Sequence, residues 1–394
     1  GLEHSDRPYM FWNTDLWADF HRETVVNLNP APDPMYVSVP YAILKRGNTY
    51  VGFLIENPHA TFISVADKTS IAGQMELGPV RRVLRLAGQQ GQPSLYLIYG
   101  PSLPELTRKL QRLVGTTPMP PAWALGYQQC RWGYESAADL ERLDRKFDEL
   151  DFPVDGLWLD IDYMRGYRVF TFDKKHFPDP AKAIARLEKR GRKVVPIIDP
   201  GVKNERGYGV FERGAKAGAF CLNPQGQNYV GLVWPGETVF PDFSTERGRT
   251  WWAREVAAFA RCGIRGAWLD MNDPATGPVE NADMLFDRGR RSHSSYHNQY
   301  ALGMAKATRE GFLAAWPDER PFLLSRSGST GISRYSAIWT GDNFGSHAQL
   351  RAGIATTLNL ALSGVPFNAN DLCGFSGDAF AALARDWYKA CFLF

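Results

Sequence analysis

No two cysteines in this chain stand at the spacing of a metal or redox motif. The five, Cys130, Cys221, Cys262, Cys373 and Cys391, are scattered without a CxxC pair, which offers neither a zinc site nor a disulfide framework. A surplus of one charge is also missing. With 45 basic against 42 acidic residues the formal net charge is +3, so no electrostatic field recommends nucleic acid or membrane as a partner. No apolar run reaches the roughly 18 residues that a bilayer-spanning helix needs. No signal sequence precedes Gly1; without a targeting segment in view, a cytoplasmic setting is the expectation.

What is present is a large apolar store and many aromatic rings. Hydrophobic residues make up 44% of 394, aromatics 13%, and 12 residues are Trp. That suffices for one large domain and a smaller one. Flat indole faces suit the C–H faces of sugars, and they suit a heavy core equally well.

The rhythm of the chain changes once. Residues 1–100 favour strands: Tyr36–Tyr41, then a turn at Gly47-Asn48, then Tyr50–Ile55, Thr61–Val65, Arg82–Leu86 and Leu95–Tyr99. Short strands punctuated by turn residues predict a partial N-terminal β-sandwich. Leu106, Leu110 and Leu113 have helical spacing, with Ser102 as cap. Residues 101–121 are therefore read as a helix and a Pro-rich linker, ending in Thr116-Thr-Pro-Met-Pro-Pro121. Residues 122–394 alternate strand and helix. Strands are expected at Ala124–Tyr127, Gly156–Ile161, Val194–Ile198, Gly266–Met271, Pro321–Ser325, Tyr335–Trp339 and Val365–Asn368. The last expected helix is Asp378–Tyr388. Repeated β/α units imply a parallel sheet, open or closed. The first strand leads into Gln128-Gln-Cys-Arg-Trp-Gly133 and not into a Gly-rich phosphate loop, which favours a (β/α) barrel.

Several of these strands run into an aspartate. Gly266-Ala-Trp-Leu-Asp270, Gly156-Leu-Trp-Leu-Asp160, Val194-Val-Pro-Ile-Ile-Asp199 and Ala337-Ile-Trp-Thr-Gly-Asp342 share the pattern. One carboxylate at a buried strand end is costly unless compensated, and by itself it reads equally well as a helix cap. Repeated, it suggests one acidic pocket at the C-terminal mouth of the sheet.

The motifs, taken in order, resemble glycoside hydrolase family 31, the retaining α-glucosidase and α-xylosidase group. They are Trp12-Asn-Thr-Asp15, Gly126-Tyr-Gln-Gln-Cys-Arg-Trp-Gly-Tyr134, Trp158-Leu-Asp-Ile-Asp-Tyr-Met164, Phe177-Pro-Asp-Pro180, Pro196-Ile-Ile-Asp-Pro-Gly201, Val233-Trp-Pro-Gly236, Phe240-Pro-Asp-Phe243, Trp268-Leu-Asp-Met-Asn272, His297-Asn-Gln-Tyr300, Ser325-Arg-Ser327, Trp339-Thr-Gly-Asp-Asn343 and Asp371-Leu-Cys-Gly-Phe375. The set covers essentially the whole chain, although any single motif would be a weak signal.

The resemblance implies a (β/α)8 TIM barrel with Asp270 as catalytic nucleophile and Asp342 as general acid/base. A retaining glycosidase needs such a pair about 5–5.5 Å apart, one ionised and one protonated. Asp160 is then expected on the hydroxyls at the far edge of the glucose ring, with Arg326 contacting sugar and Asp371 helping to hold the cluster. Trp132, Trp234, Trp268, Trp339 and Phe375 would form an apolar wall, and Ile161 and Ile197 would line the pocket. Asp199 and Asp15 are further candidates, Asp15 reaching in from the β domain on the leaving-group side. α-Xylosidases of the group tend to carry Cys-Phe after the Asp160 position, so Ile161-Asp162 implies glucose. The substrate would be an oligosaccharide or α-glucoside, with no cofactor and no metal; oligomeric state is not readable.

Two departures qualify the resemblance. Asp273 stands where the family usually has Glu. The chain also stops before the eighth strand and its sugar-binding His, so the expected fold is a barrel lacking its last strand, cut at both ends, with two unpaired edges. Other readings remain open. The same carboxylates would serve a transglucosylase or an eliminating lyase, and a catalytically dead carbohydrate-binding fragment is the non-enzyme alternative. His293 and His297 are four apart, but Ser294 stands where a zinc protease needs Glu, so His297 is expected in packing or capping. His347 is expected to cap a surface helix.

Overall fold

The computed structural model describes residues 8–15, 35–66, 83–279 and 281–392. The N-terminal part contains β1 (Tyr9–Phe11), β2 (Val37–Ser38), β3 (Tyr41–Arg46), β4 (Thr49–Glu56), β5 (Thr61–Ala66), β6 (Val83–Gly88) and β7 (Ser94–Gly100). They form two three-stranded antiparallel sheets, β1-β5-β6 and β3-β4-β7, as the turn-punctuated short runs predict. Arg82, the expected first residue of the β6 run, lies outside the described residues. Helix α1 (Leu103–Val114) follows, capped by Ser102, whose hydroxyl accepts from the Glu105 amide. Leu106 and Leu110 bury against the main core; Leu113, the third leucine of the spacing, stays exposed.

The remainder is built around one seven-stranded parallel sheet, that of a (β/α)8 TIM barrel lacking its last strand. In chain order its strands and helices are β8 (Gln128–Gln129), α2 (Ala137–Glu149), β9 (Gly156–Leu159), α3 (Pro180–Lys189) and β10 (Lys193–Ile198). An insertion follows: β11 (Val202–Lys203), α4 (Gly209–Ala217), β12 (Gly231–Val233) and β13 (Gly236–Val239). The repeat resumes with α5 (Glu246–Ala260), β14 (Gly266–Leu269), α6 (Tyr300–Ala315), β15 (Phe322–Ser325), β16 (Gly328–Ser329), β17 (Ala337–Trp339), α7 (His347–Leu362), β18 (Asn368–Ala369) and α8 (Ala381–Cys391). The sheet order is β8-β9-β10-β14-β15-β17-β18, each neighbour parallel. Strands β9 and β14 are buried at every residue, because helices cover a parallel sheet on its outer face. That is why both read as unbroken apolar runs.

The helices start where short polar side chains can take the free N–H groups of the first turn. Ser136 and Asp139 form a reciprocal capping box on α2, Asp179 caps α3, Thr245 caps α5 and Ser346 caps α7. Each such cap is worth ~1 kcal/mol. The α7 cap is Ser346 and not His347, which sits in the first turn facing Asp386 at 3.3 Å.

Two strand expectations need correction, and one small sheet was not anticipated. Ala124–Tyr127 is not the first strand: Pro121, with its fixed φ, opens a 3-10 turn over Ala122–Leu125, and Leu125 points to solvent. The strand begins only at Gln128. The last strand is Asn368–Ala369 and not Val365–Asn368, because the Asn368 side-chain amide donates back to the Val365 carbonyl and holds that stretch as a turn. The residues after Ile198 are not plain loop. β11, β13 and β12 make a small antiparallel sheet, which short, Gly-interrupted segments do not announce. The last helix also begins later than expected, at Ala381. All five cysteines are free thiols. No described helix is long and apolar enough to cross a membrane.

The two parts are joined by packed polar contacts. Asn13 donates two hydrogen bonds to Asn298, from its backbone amide to the side-chain oxygen at 2.8 Å and from its side-chain amide to the backbone carbonyl at 3.3 Å, and Asn298 donates to the Phe11 carbonyl. Trp12 stacks on His297 with centroids 3.8 Å apart and planes 5° from parallel. His297 is thus a packing residue, as its sequence context predicts. A second join is β2, which pairs in parallel with β16.

Candidate active site

Alternate residues of a strand share a face. Trp158 precedes Asp160 by two, Ile197 precedes Asp199, Trp268 precedes Asp270 and Leu324 precedes Arg326. Register aligns three of the first members, Ile197 with Trp268 and Trp268 with Leu324; Trp158 pairs with Val195 and so sits two residues behind Ile197. One inward face therefore carries an apolar layer and, one step further along, a charged layer at the strand tips. Within the apolar layer Trp158 and Trp268 lie 6.4 Å apart, and Trp268 meets Trp339 edge-on at 5.6 Å.

The charged layer is organised by Arg326, 2% exposed. Its Nη2 donates to Asp273 Oδ2 at 2.5 Å, its Nε lies 3.2 Å from Asp270 Oδ1, its Nη2 is 3.7 Å from Asp15 and its Nη1 is 3.9 Å from Asp342. One buried cation thus serves four carboxylates. The two nearest, Asp270 and Asp273, are buried, and removing the cation from them would cost several kcal/mol, about 3–5; Asp15 is exposed.

Local backbone brings these groups in. Met271, directly after Asp270, holds φ at +55°, a region rarely tolerated by side chains of this size, so the chain turns sharply off the strand tip. Asn272 then ties that turn to the Arg326 segment: its amide donates to Ser325 Oγ at 2.8 Å, and its carbonyl accepts from the Ser327 amide at 3.0 Å. Asn343, beside Asp342, accepts from the Phe375 amide and donates to the Asp371 carbonyl at 3.3 Å. The two loops that bear Asp342 and Asp371 are pinned to each other.

Electrostatics separates the carboxylates. Burial pushes Asp342 up to about 8, the negative charge of Asp270 adding and Arg326 opposing. Asp160 is raised to about 7 by burial, with the Ile161 amide at 2.7 Å working against it and Asp270 and Asp162 adding. Asp371 also reaches about 7, through enclosure and then Asp270 and Asp160. Asp199 is driven well above the usual range by burial, Asp270 and Asp160. Burial raises Asp270 too, but Arg326 is the next largest influence and lowers it. The guanidinium is nearer to Asp270 than to Asp342, so Asp270 ionises first and its charge then keeps the proton on Asp342.

The other expected site residues fall at two depths. Ile161 and Ile197 are buried, Ile197 fixed through its carbonyl, which accepts from Tyr163 at 2.8 Å. Phe375 and Asp371 are half-buried in the last strand-tip loop. Trp132 and Trp234 stand apart from the buried tryptophans, 51% and 44% exposed. They meet edge-on at 6.1 Å, and Trp132 Nε1 donates to Asp162 at 2.7 Å. Asp162 therefore turns away from Asp160 and serves the rim. The five aromatics expected as one wall divide into a floor and a lip.

Comparison with known proteins bears on this arrangement. The family model described as the glycosyl hydrolases family 31 TIM-barrel domain matches residues 117–394. The chain belongs to glycosyl hydrolase family 31. Among its relatives, alpha-glucosidase 2 of Bacillus thermoamyloliquefaciens is 35% identical over 383 residues, covering 96% of this chain and 46% of that protein. The crystal structure of an ER glucosidase II complex, a catalytic subunit with the binding domain of a regulatory subunit, superposes with TM-score 0.85 at 30% identity, over 99% of this chain and 43% of that one. A family 31 alpha-glucosidase from Bacteroides thetaiotaomicron gives TM-score 0.81 at 32% identity, over 97% and 60%. The chain spans about half the length of the curated relatives it matches.

Some members of this family 31 site carry no sequence signal of their own. Asp273, noted only as a departure from Glu, makes the shortest contact to Arg326. Cys130 is solvent-accessible at the first strand tip. Tyr36, read only as part of a β-domain strand, lies under Arg326, its ring centroid 5.1 Å from the guanidinium carbon. An aspartate at the end of an apolar run is visible in a sequence; a tyrosine delivered from another domain is not.

Proposed function

We propose that this chain carries the catalytic core of a retaining α-glucosidase that releases α-glucose from the non-reducing ends of oligosaccharides. The observation that supports it best is the unequal hold of Arg326 on Asp270 and Asp342, which leaves one carboxylate ionised beside another that keeps its proton. In the first step an Asp270 oxygen bonds to the anomeric carbon while Asp342 gives its proton to the glycosidic oxygen, and the C–O bond to the leaving group breaks. In the second, Asp342 takes a proton from water, the water oxygen bonds to the anomeric carbon and Asp270 departs, restoring the α configuration. Asp160 receives sugar hydroxyls, Arg326 and Asp371 hold the cluster, and the tryptophan floor carries the apolar face of the ring. Ile161-Asp162, without the bulk of a Cys-Phe pair, favours glucose over xylose by leaving room for a hydroxymethyl group. The α-glucosidase names of the relatives support the same substrate class.

The test is a time-resolved proton NMR assay on an aryl α-glucoside, with the protein at its full length. The first anomer released is α-glucose, with slow later mutarotation. Initial β-glucose would contradict the covalent route. Glucosyl transfer to added maltose in preference to water would make the protein a transglucosylase using the same intermediate, and binding without turnover would make it a carbohydrate-binding chain. A higher kcat/KM on the aryl α-xyloside would overturn the glucose assignment.

A further inference from the structure

Tyr36 reaches the site from outside the barrel, and three contacts fix it there. The segment Tyr36–Ser38 runs alongside the residues that follow Arg326: Val37 pairs with Gly328 and Ser38 with Ser329. The Tyr36 carbonyl accepts from Ser327 Oγ at 2.8 Å. Its ring packs on Gly341, the residue before Asp342. Gly341 has φ +85°, and a Cβ built there would lie 2.3 Å from a ring carbon of Tyr36. The ring is 2% exposed and spans the gap between Gly341 and the guanidinium of Arg326, 5.1 Å above its centroid. A cation held over an aromatic face is attracted to it, more so where water is excluded. Ring and β-pairing together leave Arg326 few alternative rotamers.

We propose that Tyr36 is a positioning residue for the catalytic pair: its ring sets the guanidinium of Arg326 between Asp270 and Asp342 and braces the Gly341 turn that aims Asp342. This rests on the roles given above to Asp270 and Asp342. The β domain thereby contributes to the chemistry without touching substrate. Among the described residues Asp342, Arg326, Asp15 and Asp273 face Tyr36, and its phenol is kept neutral first by burial and then by the carboxylates among them. The contacts to Arg326 and Gly341 are made by the ring, to which the positioning is assigned.

The assignment predicts a particular split among variants. Tyr36→Leu keeps bulk against Gly341 but removes the aromatic face, so Arg326 relaxes away from its nearer partner. Asp270 then holds its proton to higher pH, and the acidic limb of the kcat/KM profile rises by about one pH unit. The same variant lowers kcat on the order of tenfold, with KM nearly unchanged, since small misplacements of reacting groups act on the chemical step. Tyr36→Phe, which retains the ring, restores most of kcat and the wild-type limb. Thermal melting of each variant is recorded alongside, and Tyr36→Trp is the second ring-bearing variant should Tyr36→Leu not fold. An acidic limb unmoved in folded Tyr36→Leu overturns the proposal, and so does a Tyr36→Phe as impaired as Tyr36→Leu. If Tyr36→Leu does not fold, Tyr36→Trp decides: a wild-type limb supports the ring's role, and a displaced limb in a folded protein overturns it. Asp270→Asn, assayed in the same series, separates the two levels. If it keeps wild-type turnover, the underlying roles fail; if it is inactive, an unmoved limb defeats the positioning role alone.

Discussion

Asp342 keeps its proton because it is buried and because Asp270, its neighbour in the cluster, is the carboxylate that Arg326 holds closer. Two consequences are measurable. As the proposed acid/base, Asp342, with its pKa pushed up to about 8, must be protonated for the first step, so kcat/KM is expected to fall as pH rises through about 8, and to fall at low pH as the proposed nucleophile Asp270 gains a proton. In Asp342→Ala the alkaline limb disappears. Turnover of natural disaccharides drops by roughly 10²–10⁴, the usual worth of a general acid, while substrates with activated leaving groups lose much less. Azide, which needs no base, restores part of the second step. Equal losses on both substrate types without an azide effect would remove Asp342 from the role. At this scale the sequence was legible wherever a carboxylate ends an apolar strand, as at Asp160, Asp199 and Asp270. Tyr36 and Asp273 were not, because their place depends on contacts between segments that no local pattern records.

Among elements, the hairpin β12–β13 has the clearest functional consequence. Val233 pairs with Gly236, so Trp234-Pro235 is the two-residue tip, and the tip places Trp234 against Trp132 at the lip. Gly236, at φ +92°, permits the tight return. The hairpin was hidden in the sequence because Gly231-Leu-Val-Trp-Pro-Gly236 shows no alternation. The first strand was misplaced for the opposite reason: Ala124-Leu-Gly-Tyr127 is apolar, but Pro121 sets it in a turn. The last helix was legible in outline only: expected over Asp378–Tyr388, it runs from Ala381 to Cys391 with no side chain capping its start. The exposed tryptophan pair predicts binding of the leaving-group side of the substrate. Trp234→Ala is expected to raise KM for maltotriose about fivefold, from loss of roughly 1 kcal/mol of ring stacking, with kcat and aryl-glucoside kinetics little changed. Unchanged KM values for maltotriose would place sugar elsewhere.

At the level of the whole molecule, buried carboxylates and a buried histidine give stability opposite dependences on pH. The carboxylates raised by burial bind protons in the folded state that the unfolded chain releases, so their contribution to stability declines as pH rises from about 4 to about 8. His297 acts in the other direction. Its Nε2 donates to the Asn13 carbonyl at 2.7 Å, and its Nδ1 accepts from His293. Burial first, and His293 next, depress its pKa to about 3. The unfolded chain therefore binds a proton below about 6.5 that the folded protein refuses, and stability is lost as pH falls through that value, by ~1.4 kcal/mol per unit. In His297→Gln the join between β domain and barrel loses its stacking on Trp12, yet the deficit in melting temperature relative to wild type shrinks as pH falls from 6.5 to 4, because the histidine contribution is gone and only that of the carboxylates remains. A variant with the same pH slope as wild type would contradict the account of a neutral, buried His297.

The central claim, covalent catalysis by Asp270 with the proton managed at Asp342, meets its most direct test in trapping the intermediate. The protein is incubated with a 5-fluoro-α-glucosyl fluoride, in which the first step is slow and the second slower, then digested and analysed by mass spectrometry. The account predicts one fluoroglucosyl adduct on the peptide containing Asp270, absent from Asp270→Asn. An adduct on any other carboxylate, or steady turnover with no adduct at all, would contradict it.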